Sequence, residues 1–180
     1  MELYHKKFRH LHTLSFCYNI FMPKMRDWGF LAAAFLPLAW VGCSRESADF
    51  MPHLSLPTLA GTARTSLSSC PTRKCLTVYV APWCPTCRAA SPLIKSLRDY
   101  LFKKHIDTRI VVGMDQPSEI RKYAEKYGPQ TLLDPSGDLR VDGVPHFTVS
   151  NARGDILADV SGIPAGVRNV QDLASFYGLP

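Results

Sequence analysis

The sequence lacks an apolar run long enough to cross a bilayer as a helix. The best candidate, residues 28–41, has fourteen uncharged residues, whereas a transmembrane helix needs about 20. Internal repeats and heptad patterns are also absent, which excludes repeat architectures and coiled coils. A chain of 180 residues is therefore expected to hold a single domain of ordinary size with an appendage.

The sequence also lacks a concentrated basic stretch. The net charge is +6, but residues 1–43 hold five of the 21 basic and two of the 15 acidic residues, so residues 44–180 carry only +3. The basic residues form no patch interleaved with aromatic residues, which proteins that bind nucleic acids commonly show. The sequence therefore predicts no nucleic-acid partner.

Residues 1–43 have the organisation of an export signal. Lys24 and Arg26 precede the apolar run 28–41, whose length is that of a signal-peptide core. Residues 1–21 fit this pattern poorly, and we interpret them as an upstream-start artefact.

The apolar run ends in Gly42-Cys43, which a polar stretch follows at once. This ending is similar to the bacterial lipobox, whose cysteine is lipidated and becomes the first residue of the mature protein. Trp40 departs from the pattern, which usually has Leu there. We expect lipidation of Cys43, with a plain secretory signal or an uncleaved anchor as the alternatives.

Residues 44–69 are rich in Ser, Thr, Ala and Pro and show no sustained period of strand or helix. Such a composition is typical of a flexible tether. The folded domain is then expected to span residues 70–180.

Most of the predicted chemistry lies in one motif, Trp83-Cys84-Pro85-Thr86-Cys87. It follows a β-branched apolar run, 76–81, that predicts a buried strand, and it opens a helical pattern over residues 84–104. A Cys-x-x-Cys between a strand and a helix is typical of a redox couple.

The two cysteines of this motif are predicted to differ in role. Unpaired N–H groups and the positive end of the helix dipole favour a thiolate at the first turn. We therefore predict that Cys84 is the exposed nucleophile and that Cys87, one turn further in, resolves it. A zinc half-site and a static structural disulfide are the alternatives.

Cys70 and Cys75 form a second pair just before the first core strand. In an oxidising compartment we expect them to close a structural disulfide. The alternatives are an electron relay to Cys84-Cys87 and a four-thiolate metal site built from both pairs. No metal and no organic cofactor is predicted.

The rest of the chain alternates strand and helix patterns before a β-hairpin and a closing helix, which predicts an α/β fold with a central mixed sheet flanked by helices. The predicted strands cover residues 109–113, 131–133, 146–150 and 155–160, and the predicted helices cover residues 117–127 and 167–177.

These features together resemble the thioredoxin superfamily, specifically its membrane-anchored TlpA-like branch, over residues 76–180. The resemblance rests on the strand before the Cys-x-x-Cys, on Pro92 eight residues after Cys84, and on Val144-Pro145 ahead of a hairpin. Residues 126–137 are similar to the strand and helix region inserted in TlpA-like members. The resemblance implies a thioredoxin-like fold.

The resemblance also implies roles for residues around the cysteines. A cis bond before Pro145 would bring the backbone of Val144 against the active pair, where it pairs with an extended substrate. His146 follows where Thr is common, and it either assists the thiolate or has a packing role. Pro85 and Thr86 tune the redox couple.

The implied activity is extracytoplasmic thiol:disulfide exchange with protein partners, including a membrane redox partner, by a lipid-anchored monomer on the periplasmic side of a bacterial membrane. Trp83 is expected to support substrate binding, and Val78 occupies the position of the family's buried acid. The alternative functions are a cysteine-based zinc or copper module and a catalytically idle thioredoxin-like interaction domain.

Overall fold

The computed structural model describes residues 49–61 and 63–180. They form a five-stranded sheet in the order β5-β4-β3-β6-β7 and a separate two-stranded sheet, β1-β2. In chain order the elements are β1 (Ser55–Pro57), β2 (Arg64–Ser66), β3 (Lys74–Val80), α1 (Pro85–Phe102), β4 (Asp107–Gly113), α2 (Pro117–Ala124), a 3-10 turn (Glu125–Tyr127), β5 (Leu132–Asp134), β6 (His146–Asn151), β7 (Ile156–Ser161) and α3 (Val170–Phe176).

The central strand β3 is buried from Cys75 to Val80. It pairs in parallel with β4 and antiparallel with β6, so that Val78 lies opposite Ile110 on one side and Phe147 on the other. The parallel connection requires a crossover, which α1 supplies. A strand covered on both faces is expected to be apolar throughout, which explains the β-branched run ahead of the cysteine motif.

Helix α1 packs one face against this sheet. Ile94, Leu97 and Leu101 are fully buried at helical spacing and meet Val78 and Val80 in the larger core. The helix therefore has a fixed orientation relative to the end of β3. None of the helices in the described part of the chain is both long and apolar enough to cross a membrane.

The other face of the sheet is covered by the segment that precedes Cys70. The buried side chains of Met51, Leu56 and Leu67 pack against Tyr79, Val111 and Leu132 in a second core. Backbone hydrogen bonds reinforce this packing, including one of 2.7 Å from the amide of Leu59 to the carbonyl of Thr131.

The prediction of a flexible tether is therefore wrong for residues 49–61 and 63–69. The two strands of this segment, β1 and β2, have only three residues each. Three residues are too few to produce a recognisable alternation of apolar and polar residues in the sequence. Residues 44–48 and the signal region with Cys43 lie outside the described residues.

Cys70 and Cys75 are joined by a disulfide at the start of β3. Beside it lies the buried guanidinium of Arg109, 3.7 Å from the sulfur of Cys75, which forms an ion pair of 2.7 Å with Asp107. Arg109 also donates to the carbonyl oxygens of residues 66, 67 and 69. Because a buried charge needs such partners, this cluster ties the N-terminal segment to the sheet.

Candidate active site

Cys84 caps the N-terminus of α1, just beyond the end of β3. Its sulfur accepts a hydrogen bond of 3.2 Å from the backbone N–H of Cys87. Pro85 occupies the first helical position, where the missing N–H costs nothing because it would have had no partner inside the helix. The helix thus directs one of its unpaired donors at the sulfur.

Cys84 is less accessible than predicted. Only 5% of the residue is exposed, against none of Cys87, and both are free thiols. The carbonyl oxygen of Val144 covers the sulfur, accepting a hydrogen bond from it at 3.4 Å. Sequence spacing places Cys84 at the helix start but does not reveal the loop that folds over it.

Cys87 lies deeper, in the first turn of α1. Burial, the largest cause, raises the pKa of the Cys87 thiol to about 12, and the neighbouring Cys84 acts in the same direction. Two thiols three residues apart therefore have different environments. Burial therefore favours the protonated form of Cys87 at neutral pH.

A buried hydroxyl cluster, which is not among the residues predicted from the sequence, lies beside the turn that carries Cys87. The hydroxyl of Ser91 donates to the carbonyl of Cys87 at 2.9 Å and lies 3.1 Å from the hydroxyl of Tyr123 and 2.8 Å from that of Tyr127. Burial is the largest of the causes that raise the pKa of Tyr127. The two tyrosines stand four residues apart, a helical spacing that would have placed them on one face.

The loop over Cys84 contains a cis peptide bond between Val144 and Pro145. The carbonyl of Pro145 accepts a hydrogen bond of 2.7 Å from the N–H of Gly162. This bond connects the loop to the end of β7. The backbone of Val144 is thereby held next to the sulfur of Cys84.

His146 is buried at the start of β6 and is directed away from the cysteines. Its ring nitrogens lie 2.6 Å from a carboxylate oxygen of Asp159 and 2.8 Å from the hydroxyl of Ser161. In the described residues it forms no hydrogen bond with Cys84 or Cys87. The contacts favour the packing role: His146 joins the two strands of the hairpin.

The remaining motif residues surround the sulfur on the outside. Trp83 is 52% exposed, and its indole N–H donates to the carbonyl of Met114 at 2.7 Å. Pro85 and Thr86 are exposed on the first turn of α1. Trp83 and the helix start therefore form an accessible rim around a recessed thiol.

The two cysteine pairs lie at opposite ends of β3. At about 3.3 Å per residue, the strand from Cys75 to Val80 separates them by about 16 Å. The described residues also contain no group of three or more His, Cys, Asp or Glu side chains placed to hold a metal ion. The four cysteines are thus not gathered into one thiolate site. The two pairs are also too far apart for direct thiol–disulfide exchange between them.

Solved structures share the fold of this chain. The thioredoxin domain of a thiol-disulfide oxidoreductase from Bacteroides vulgatus matches with a TM-score of 0.57 at 18% identity, covering 73% of this chain and 94% of that one. The exposed lipoprotein thioredoxin of Streptococcus pneumoniae matches with a TM-score of 0.56 at 17% identity, covering 69% and 97%. A secreted disulfide oxidoreductase of Mycobacterium tuberculosis, homologous to Escherichia coli DsbE, matches with a TM-score of 0.53 at 17% identity, covering 70% and 95%.

The chain has a thioredoxin-like fold. The predicted mixed sheet flanked by helices is confirmed by these neighbours and by the strand order. No family model and no curated protein sequence matches the chain. Because the thioredoxin-like fold hosts several activities, the assignment of function depends on the residues of this site.

The two active-site thiols should differ in their reaction with iodoacetamide. In the reduced protein we expect Cys84 to be alkylated well before Cys87 between about pH 6 and about pH 9, because the thiolate is the reactive form and burial disfavours the thiolate of Cys87. Peptide mapping after timed quenching measures both rates. Equal rates at neutral pH would contradict the assignment of roles.

Replacing both Cys70 and Cys75 by Ser should affect stability more than chemistry. The cysteines are five residues apart, so the loop they close is small, and we expect a loss in free energy of unfolding below the roughly 3 kcal/mol of a 15-residue loop. Urea titration measures this loss. The alkylation rate of Cys84 should not change, and its collapse in a folded variant would instead indicate a relay between the pairs.

Proposed function

We propose that this protein is an extracytoplasmic thiol:disulfide oxidoreductase that exchanges disulfides with protein partners through Cys84 and Cys87. The observation that carries the proposal is the setting of the Cys84 sulfur, which lies at the start of α1 between the N–H of Cys87 and the carbonyl of Val144. A backbone donor at a helix N-terminus stabilises a sulfur anion.

The first step is attack by Cys84. Its thiolate forms a bond to one sulfur of a partner disulfide, the partner's S–S bond breaks, and the other partner sulfur leaves as a thiolate that takes up a proton. The product is a mixed disulfide between Cys84 and the partner. The N–H of Cys87 stabilises the attacking sulfur while it carries charge.

The second step is resolution by Cys87. Its thiol loses a proton and attacks the sulfur of Cys84, the mixed disulfide breaks, and the partner leaves with both sulfurs reduced. Two electrons have then passed from the dithiol to the partner, and the reverse sequence oxidises a partner dithiol. Because burial raises the pKa of Cys87, loss of its proton is a necessary part of this step.

Substrate binding is assigned to the rim around Cys84. The backbone of Val144 is held beside the sulfur, where an extended partner segment can add to it as a strand does. Trp83 offers an exposed aromatic surface next to the reactive atom, while Pro85 and Thr86 form the exposed helix start. This arrangement suits a polypeptide, because an exposed aromatic ring and a backbone segment lie on either side of the sulfur.

The proposed reaction is tested by trapping its intermediate. Cys87→Ala should accumulate disulfide-linked complexes with partner proteins on non-reducing gels, because the mixed disulfide is no longer resolved. Cys84→Ala should form none, and the double Cys70→Ser and Cys75→Ser variant, which keeps the active pair, should behave as the wild type. Complexes that form equally with Cys84→Ala would contradict the proposal.

We further propose that Cys43 carries a lipid that anchors the protein on the periplasmic side of a bacterial membrane, where a membrane redox partner renews the active pair. The apolar run 28–41 followed by Gly42-Cys43 supports this proposal. A disulfide at Cys70–Cys75 also fits an oxidising compartment, and one structural neighbour is an exposed lipoprotein.

Mass spectrometry of the mature protein tests the anchor. We expect a chain that starts at Cys43 with a diacylglyceryl addition, and Cys43→Ala should abolish the addition. Whether or not its export is reduced, the Cys43→Ala variant should be released from membranes by washing. A mature chain that starts elsewhere without lipid would contradict the proposal.

A further inference from the structure

A groove lies beside the active site, between the first turns of α1 and the α2 region. It has a volume of about 340 Å³ and is lined by Trp83, Arg88, Lys122 and Lys126, among others. A second depression of about 400 Å³ shares Lys126 and adds Lys95. We refer to Arg88, Lys95, Lys122 and Lys126 together as the basic groove.

The basic groove is defined by cations without an ion-pair partner in the described part of the chain. Within the described residues, none of the four forms a salt bridge with a carboxylate. Three acids also line the two depressions, Asp99, Asp115 and Glu119, so the four cations exceed the acids by one charge, and Glu119 forms no salt bridge in the described residues. Asp99 already pairs with Arg98 at 3.3 Å, and Asp115 accepts a hydrogen bond of 2.7 Å from the backbone N–H of Gln116.

Two of the cations are held in place by neutral groups. The guanidinium of Arg88 donates to the carbonyl of Pro82 at 2.6 Å, and the ammonium of Lys126 lies 3.6 Å from the centre of the Tyr123 ring. Burial lowers the pKa of Lys126, and the nearby charges of Arg88 and Lys95 lower it further. An incoming anion would relieve this repulsion.

We propose that the basic groove binds an acidic segment of the partner protein next to the partner's reactive cysteine. This inference rests on the proposed function, and it adds the chemistry of the partner. Along α1, Arg88 and Lys95 lie about 6 Å and about 16 Å from Cys84 at 1.5 Å per residue. An extended partner chain covers these spans in about two to five residues, so the acids are expected at that distance from the partner's cysteine.

The experiment compares three disulfide probes with the reduced full-length protein. Two are peptides with the same internal disulfide, carrying either Glu or Gln at the positions two to five residues after the first cysteine. The third is hydroxyethyl disulfide, which is small and neutral. At low salt we expect the Glu peptide to react about tenfold faster than the Gln peptide, the lower end of the range for electrostatic steering.

Salt and charge reversal test the origin of this preference. It should fall towards equal rates near 1 M salt, where the Debye length is about 3 Å. The double variant Lys122→Glu and Lys126→Glu should lose it, while a matched control with the same net charge, Lys103→Glu and Lys104→Glu, should keep it, because those exposed residues follow the far end of α1. If the double variant does not fold, Lys126→Gln replaces it, with a smaller loss expected.

Each outcome separates the two proposals. Equal rates for both peptides, or a preference that the control variant also loses, would overturn the acidic-partner proposal. Hydroxyethyl disulfide should react equally with all variants, and its failure to react with the wild type would contradict the proposed function instead. Binding to phosphatidylserine vesicles that needs Lys122 and Lys126, without a peptide preference, would assign the groove to a lipid surface and overturn the proposal.

Discussion

The hydrogen bond from the backbone of Cys87 to the sulfur of Cys84 is the interaction on which the chemistry of this site depends. It exists only if Cys84 caps α1, and Cys84 does so because β3 ends at Val80 and Pro85 starts the helix. The buried face of α1 and the apolar β3 hold this junction in place. The same geometry gives the sulfur of Cys84 a hydrogen-bond donor and places the sulfur of Cys87 inside the core. The junction of β3 and α1 therefore gives the two thiols different environments.

The loop at Val144 precedes β6, the antiparallel neighbour of β3, and places its backbone carbonyl against the sulfur of Cys84. Because β6 is the antiparallel neighbour of β3, its first residues reach the same end of the sheet as the start of α1. The bond from Gly162 to Pro145 and the contacts of His146 with Asp159 and Ser161 connect this loop to β7. Residues distant in the sequence thereby hold a backbone carbonyl over the reactive atom.

The sequence was sufficient for what local patterns encode and insufficient for what packing decides. The strand before the motif is a continuous apolar run and the helix after it has apolar residues at helical spacing, so residues 76–81 and 84–104 predict β3 and α1 closely. The exposure of Cys84 was overestimated because its cover comes from Val144, sixty residues away. The Ser91 cluster is not predicted from the sequence because its hydroxyls lie on α1, on α2 and on the 3-10 turn and meet only after folding.

The N-terminal segment, which the sequence predicts to be a flexible tether, is part of the fold, and this has a consequence for the edges of the sheet. It forms isolated bridges to both edges of the five-stranded sheet, Phe50 with Asp155 at β7 and Thr58 with Leu132 at β5. Unpaired sheet edges are templates for aggregation. A chain that begins at residue 43 keeps both bridges and a protected sheet. A chain trimmed beyond residue 58 would lose both bridges and leave a domain that is prone to self-association.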